Sequence, residues 1–248
     1  MQRLKITGLA TVVASLGLLL SVTGCKKDDN KPSTDTPTGT DTTTVHTGTV
    51  FIHLHTYIGD NEVDLYNNGY TMASGRIMSL SRAQLYLSNI ELVRQDGSIY
   101  SMGSKKVLKV FEGESYLLGD VPVGTYKSIR FKIGLDPATN ALLPSQTADS
   151  VLLNQPSMWF GPTAEANGYI FANIQGTVDT SATMTEAAVP FVYRIGTNAH
   201  YVQVEMPEQV HVIAEGQADY FHMVADYSTI FQGIQLTNPA NLSVNSIS

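Results

Sequence analysis

Two histidines at alternate positions of one segment are the strongest candidates for chemistry in this sequence. His53 and His55 lie in residues 50–55, where apolar residues at even positions alternate with the histidines, the spacing of a β-strand. Side chains two apart on a strand point to the same face, so both imidazoles are expected to reach one copper or zinc ion. A strand face in contact with water gives the same pattern without any ligand, and this alternative stays open.

Further side chains are candidates to complete such a site if their strands lie beside the first. They are one thioether and three imidazoles: Met158, His200, His211 and His222. A histidine taken singly is more commonly exposed or held by an ordinary hydrogen bond than bound to a metal. The sequence does not show which of these four strands and loops meet.

The only cysteine, Cys25, follows a segment with the features of a lipoprotein signal peptide. Residues 1–24 begin with Arg3 and Lys5, continue with an apolar stretch from about residue 9 to 22, and end in small residues. That stretch is too short to span a bilayer comfortably. The run V-T-G-C at 22–25 resembles a lipobox, so we expect cleavage before Cys25 and a covalent lipid, such as palmitate, on its thiol. The alternative is a spare thiol in a removed peptide.

Residues 25–47 are expected to be the lipidated cysteine and a disordered tether. They are rich in Thr, Asp and Pro and hold almost no large apolar side chain, so they cannot offset the entropy of ordering. The run K-D-D at 27–29 resembles an export signal that sends lipoproteins to the outer membrane, facing the cell surface. A location on the periplasmic face is the alternative.

Charge and motif content exclude several functions. The formal net charge is −7 with 15 Lys and Arg, and no basic cluster follows Lys26 and Lys27, so a nucleic-acid partner is not expected. The sequence holds no G-x-S-x-G, H-E-x-x-H or G-x-x-x-x-G-K motif, and we expect a protein that is not an enzyme. The acidic run at residues 60–64 is expected to be a solvated turn rather than a calcium loop.

Residues 48–248 predict one all-β domain. Short alternating segments are separated by turns such as Asp96-Gly97, and no long amphipathic helix is evident, which favours an antiparallel immunoglobulin-like sandwich or a barrel. Residues 138–166 are expected to form a long loop. The predicted strands are residues 50–55, 84–93, 98–102, 107–111, 126–133, 169–176, 191–195, 201–205, 209–214 and 219–225.

Four segments in order resemble the MbnP family. They are VFIHLHTYIGDNEVDL (50–65), SRAQLYLSNIEL (81–92), DVPVGTYKSIRFKIGLD (120–136) and GYIFANIQG (168–176). The family comprises periplasmic or surface β-sandwich proteins associated with copper handling, some of them encoded beside di-haem partner enzymes. The resemblance therefore implies a sandwich, a copper site, and a di-haem peroxidase-like partner protein.

The sequence also departs from the family pattern. Family members usually carry a tryptophan-rich stretch before the G-Y-I strand, and in copper-binding members a tryptophan is oxidised to kynurenine beside the metal. Here that stretch is S-M-W-F (157–160), and Trp159 is the only tryptophan. We expect Trp159 to anchor a loop. Arg194 replaces a histidine of the family's Y-H-I-G stretch, and the usual histidine-containing tail is absent. Two functions stay open: a copper- or other transition-metal-binding lipoprotein, or a surface adhesive module that recognises glycan or protein through its loops.

Overall fold

The computed structural model describes residues 2–5, 45–148, 150–160, 168–184 and 187–245. Cys25 and residues 26–44 of the tether lie outside these ranges, so lipidation and tether disorder stay predictions. The described part of the chain contains no helix long and apolar enough to cross a bilayer.

Across the described ranges the chain is built from fifteen strands and very short helices. The strands are β1 (Gln2–Lys5), β2 (Thr47–Ile58), β3 (Asn61–Glu62), β4 (Tyr70–Thr71), β5 (Ile77–Arg94), β6 (Ile99–Ser101), β7 (Val107–Lys109), β8 (Ser115–Pro122), β9 (Gly124–Ile133), β10 (Ile170–Val178), β11 (Val189–Gly196), β12 (Val202–Glu205), β13 (His211–Ile213), β14 (Ala218–Asp226) and β15 (Ser243–Asn245). The helical elements are α1 (Pro137–Asn140) and 3-10 turns at Pro144–Gln146, Pro156–Met158, Asn198–His200, Tyr227–Phe231 and Pro239–Leu242.

Two curled sheets pack as a sandwich, which confirms the all-β prediction. The first sheet has the order β1-β14-β2-β3, with β8 paired to β2 along the edge opposite β14. The second has the order β12-β9-β5-β10-β11-β15, with β13 on β9 and three short strands on β5. The main apolar core lies between the sheets and draws on both.

Strand β2 follows its sequence pattern over its whole length. Burial alternates residue by residue, and Val50, Ile52 and Leu54 are fully buried in the core. The odd-numbered side chains, His53 and His55 among them, lie on the outer face of the first sheet. The predicted period of two is therefore confirmed: the side chains of one face pack in the core, and those of the other face lie where they can contact a ligand.

Strand β5 is the spine of the second sheet and changes partners along its length. Its first part pairs with β10 as far as Leu85, and its second part pairs with β9 from Leu87 onward. The ladder with β9 is interrupted between Ser88 and Glu91, where Asn89 has a φ of 48°. Such a bulge bends a strand, and the bend lets β5 pair with β10 along its first part and with β9 along its second part.

Three features differ from the sequence-based expectation. The pairs β14–β2 and β11–β15 run parallel, whereas antiparallel pairing was expected throughout. Strand β8 falls in a stretch where no strand was predicted; its Gly119 has a φ of 134°, and its ladder with β2 has a bulge at this point. The predicted loop 138–166 contains short helical turns within its described residues.

The ends of the domain also carry contacts. Strand β2 begins at Thr47, one residue before the predicted boundary, and His46 Nδ1 lies 2.6 Å from Glu215 Oε1. Strand β1, inside the predicted signal peptide, pairs in parallel with residues 223–226 of β14. Cleavage before Cys25 would remove β1 and leave that edge of β14 free.

Candidate metal centre

His53 and His55 lie side by side at the middle of the first sheet. Their ring centroids are 4.3 Å apart and the ring planes differ by 24°. Both residues sit on β2, which is held by hydrogen bonds to β14 on one edge and to β8 on the other. The prediction that the two imidazoles share a face is confirmed.

His222 of β14 joins the pair from the neighbouring strand. The parallel ladder sets His222 directly opposite His53, and their ring centroids are 4.8 Å apart. The ring of His222 is 6.3 Å from that of His55. One nitrogen from each of the three imidazoles can be chosen so that all lie within 4.8 Å of one another, close enough for small side-chain rotations to bring them onto one metal ion.

Two carboxylates lie beside the histidines. Glu62 Oε1 on β3 is 2.5 Å from His55 Nδ1. Glu114, just before β8, places Oε2 3.2 Å from His53 Nε2 and 3.6 Å from His55 Nδ1. His55, Glu62 and Glu114 form a second close group of donor atoms that shares His55 with the first.

The contact with Glu62 indicates which nitrogen of His55 donates. An ionised carboxylate only accepts, so His55 donates from Nδ1 to Glu62, and the neutral form of this imidazole then has its lone pair on Nε2. His55 Nε2 is buried and has no hydrogen-bond partner among the described residues. A buried polar nitrogen without a partner is uncommon in proteins and calls for an explanation, such as an ion. The donor set of imidazoles and carboxylates fits copper or zinc.

His222 is suited to stay neutral. Partial burial is the main reason that the pKa of His222 lies below its ordinary value of 6.5. The neighbouring His53 and His55 lower it further, as does His211 to a smaller extent. Asp219 opposes the shift because it favours the charged imidazole. The neutral form is the one that binds a metal, so His222 remains an available donor at lower pH than an isolated histidine.

The other predicted ligands lie elsewhere. His200 sits in the 3-10 turn after β11, with Nδ1 2.6 Å from Gly196 O, and belongs to neither donor group. Met158 is fully buried in a smaller core cluster on the second sheet. His211 stacks on Phe221 at 3.8 Å between centroids, as expected for a histidine with a structural role.

Trp159 lies in the same cluster as Met158. It is 8% exposed and bridges to Tyr169, with ring centroids 3.8 Å apart. These contacts fix the segment before β10 to the second sheet, which fits the role of a loop anchor. Tyr86 and Phe171 from the same sheet complete its surroundings.

Sequence reasoning missed both carboxylates. Glu62 was expected in a solvated turn, yet the Gly59-Asp60 turn folds β3 back along β2 and pairs Glu62 with Tyr57, diagonal to His55. The turn residues Gly59 and Asp60 were the sequence feature from which the position of Glu62 could have been predicted. Glu114 had no such signal, because its position depends on β8, which the sequence pattern did not reveal.

The comparison with family profiles identifies one family. The profile of the MbnP family matches residues 47–246. Among solved structures, MbnP from Methylosinus trichosporium is similar with a TM-score of 0.44 and 15% sequence identity, over 69% of this chain and 73% of that chain. Comparison with curated protein sequences returns no match. Because the profile match spans most of the chain, the chain belongs to the MbnP family.

Proposed function

We propose that this chain is a cell-envelope lipoprotein that binds a transition-metal ion, foremost copper, through His53, His55 and His222. The observation that carries the proposal is the convergence of three imidazoles from two hydrogen-bonded strands, with donor nitrogens within 4.8 Å of one another. Family membership supports copper as the first ion to test, because MbnP proteins are associated with copper-binding systems.

The rigidity of the strands supports binding without large rearrangement. The ladder between β2 and β14 fixes the backbone of all three histidines. Donors on paired strands have lost most of their freedom before the ion arrives, so little additional entropy is lost on binding. The ion would replace the missing partner of His55 Nε2.

The carboxylates have two roles in this proposal. Glu62 accepts from His55 Nδ1 and so orients the ring with Nε2 free, the arrangement in which a carboxylate strengthens a metal-bound histidine. Glu114 lies near both His53 and His55 and can bind a divalent ion directly. Imidazole with carboxylate suits Cu²⁺ and Zn²⁺, whereas Cu⁺ prefers imidazole or sulfur donors alone.

The anchor and the partner belong to the same proposal. A lipid on Cys25 would hold the domain at the outer membrane facing the cell surface, with the periplasmic face as the alternative. The resemblance to the family makes a di-haem peroxidase-like protein the first partner to test. In this proposal the chain binds and passes on an ion rather than catalysing a reaction.

A surface adhesive module is the second candidate, and one observation favours it. On the same outer face, Phe51 stacks on Tyr220 with 4.9 Å between centroids and an interplanar angle of 14°. Tyr220 is 39% exposed, and Leu117 opposite Phe51 is 48% exposed. Exposed aromatic and apolar side chains of this kind also serve in the recognition of glycan or protein.

Titration of the full chain with Cu²⁺, and anaerobically with Cu⁺, separates the two functions. We expect one equivalent to bind with a Kd of about 1 μM or tighter, which corresponds to about −8 kcal/mol. His46→Ala and His200→Ala serve as controls and should keep that affinity, because neither residue belongs to the donor groups. Absence of saturable binding of either ion below about 1 mM would rule out the metal function and favour the adhesive one.

A further inference from the structure

A fully buried lysine lies beneath the segment that carries Glu114. Lys109 ends β7, is 0% exposed, and donates from Nζ to the carbonyl oxygens of Val110 at 2.9 Å and Gly113 at 2.7 Å. Burial lowers the pKa of Lys109 to about 8, while Glu114 and Glu112 favour its charged form. A buried ammonium is costly, so its position at this segment needs a reason.

Lys109 and Tyr116 both contact the backbone just before Glu114. The Tyr116 hydroxyl donates to Gly113 O at 2.5 Å and accepts from the backbone N–H of Val110 at 3.0 Å. On the other side, Glu114 O accepts from the backbone N–H of Leu54 at 2.8 Å. Leu54 is the residue between the two histidines of β2. The backbone around Glu114 is therefore held on one side by the contacts of Lys109 and Tyr116 with Gly113, and on the other side by β2, the strand that carries His53 and His55.

We propose that Lys109 is a positioning residue that holds the Glu114 carboxylate at His53 and His55, and thereby sets the preference of the centre for divalent ions over Cu⁺. This inference rests on the proposed metal-binding function. It adds Lys109, which belongs to neither of the two donor groups, as a residue that influences which ion is bound. Lys109 acts through geometry, because its Nζ donates to the carbonyl oxygen of Gly113, the residue before Glu114.

The chemistry of the ions gives the expected selectivity. A divalent ion such as Zn²⁺ gains from an anionic oxygen donor, so losing an oriented Glu114 weakens its binding. Cu⁺ is softer and is held by imidazole nitrogens, which Lys109 does not touch. Removing Lys109 should therefore act on one ion and spare the other. General damage to the fold would weaken both.

The test is a double-mutant cycle of Lys109→Met and Glu114→Gln, read out as Zn²⁺ and Cu⁺ affinities of the full chain. Lys109→Met alone should weaken Zn²⁺ binding by about 10- to 100-fold, the range for partners that orient ligands. In the Glu114→Gln background the same change should cost less than about twofold, because the carboxylate that Lys109 positions is gone. Cu⁺ affinity should stay within about twofold of that of the wild type, since its imidazole donors are intact.

Two outcomes would overturn the inference. Equal weakening of Zn²⁺ binding by Lys109→Met in both backgrounds would mean that Lys109 does not act through Glu114. Equal loss for Zn²⁺ and Cu⁺ would mean that it only supports the fold. Tyr116→Phe, which removes a second donor to Gly113 O, provides a milder variant and should give a smaller loss restricted to Zn²⁺.

A measurement without metal keeps this inference distinct from the proposed function. The backbone N–H of Leu54 donates to Glu114 O. Lys109→Met should therefore speed hydrogen exchange of the Leu54 amide more than exchange of the Ile52 amide on the same strand. Failure of every ion to bind would refute the metal function and, with it, the selectivity assigned to Lys109. Unchanged Leu54 exchange would refute the positioning role itself, whether or not an ion binds.

Discussion

Replacing His53 and His55 together with alanine is expected to weaken copper binding by at least about 100-fold, taking about tenfold as the minimum loss for each metal ligand. Both imidazoles lie on the outer face of β2, at 25% and 12% side-chain exposure, and neither is part of the apolar core. The loss should therefore come from missing donors and not from an unfolded domain. Competition with a chelator of known affinity measures it.

Thermal unfolding gives an independent measure of the same change. An ion at 100 times its Kd stabilises the folded wild type by about 2.7 kcal/mol, and the double variant should show almost none of this gain. His200→Ala is the matched control, since its imidazole is held by Gly196 and Thr197 in another part of the fold. Equal copper affinities of the wild type and the double variant would refute the assigned site.

Replacing Cys25 with serine is expected to abolish membrane attachment. Cys25 is the only thiol of the chain, so no other side chain can accept the lipid. Without acyl chains the protein loses about 0.8 kcal/mol for each methylene that would be buried in the bilayer. The measurement is fractionation of cells that express the variant, with the protein expected in the soluble fraction or as the uncleaved precursor.

A displaced thiol provides the control for this result. The double variant Cys25→Ser, Ser33→Cys restores a cysteine in the tether but not behind the small residues of the signal peptide. It should remain unattached, because acylation depends on the position of the thiol and not on its presence. A Cys25→Ser protein that is still cleaved before residue 25 and still pellets with membranes would contradict the lipoprotein interpretation.

The sequence predicted those strands whose burial follows a simple period. Strand β2 alternates between core and surface without interruption, and β10 begins one residue after the start of the predicted segment 169–176 and ends two residues after its end. Strand β8 escaped prediction because Gly119 and a bulge disturb its alternation. The parallel pairing of β14 with β2 also escaped, since no hairpin connects strands so far apart in sequence.

The residues of the candidate site could likewise be predicted only where a local period in the sequence places them. The pair His53 and His55 could be found from spacing alone, because a strand repeats every two residues. His222 was a candidate by residue type, but its place opposite His53 follows from the register of a parallel ladder that local patterns do not encode. Lys109 gave no signal, since its importance lies in the carbonyl groups it meets after folding.

X-ray absorption of the protein with one equivalent of Cu²⁺ tests the central claim most directly. We expect scattering from three imidazoles in the wild type, those of His53, His55 and His222, with light oxygen donors completing the shell. The spectrum of the His53→Ala, His55→Ala variant should lose most of the imidazole signal. A wild-type spectrum without imidazole scattering, or one with sulfur scattering from the thioether of Met158, would contradict the account.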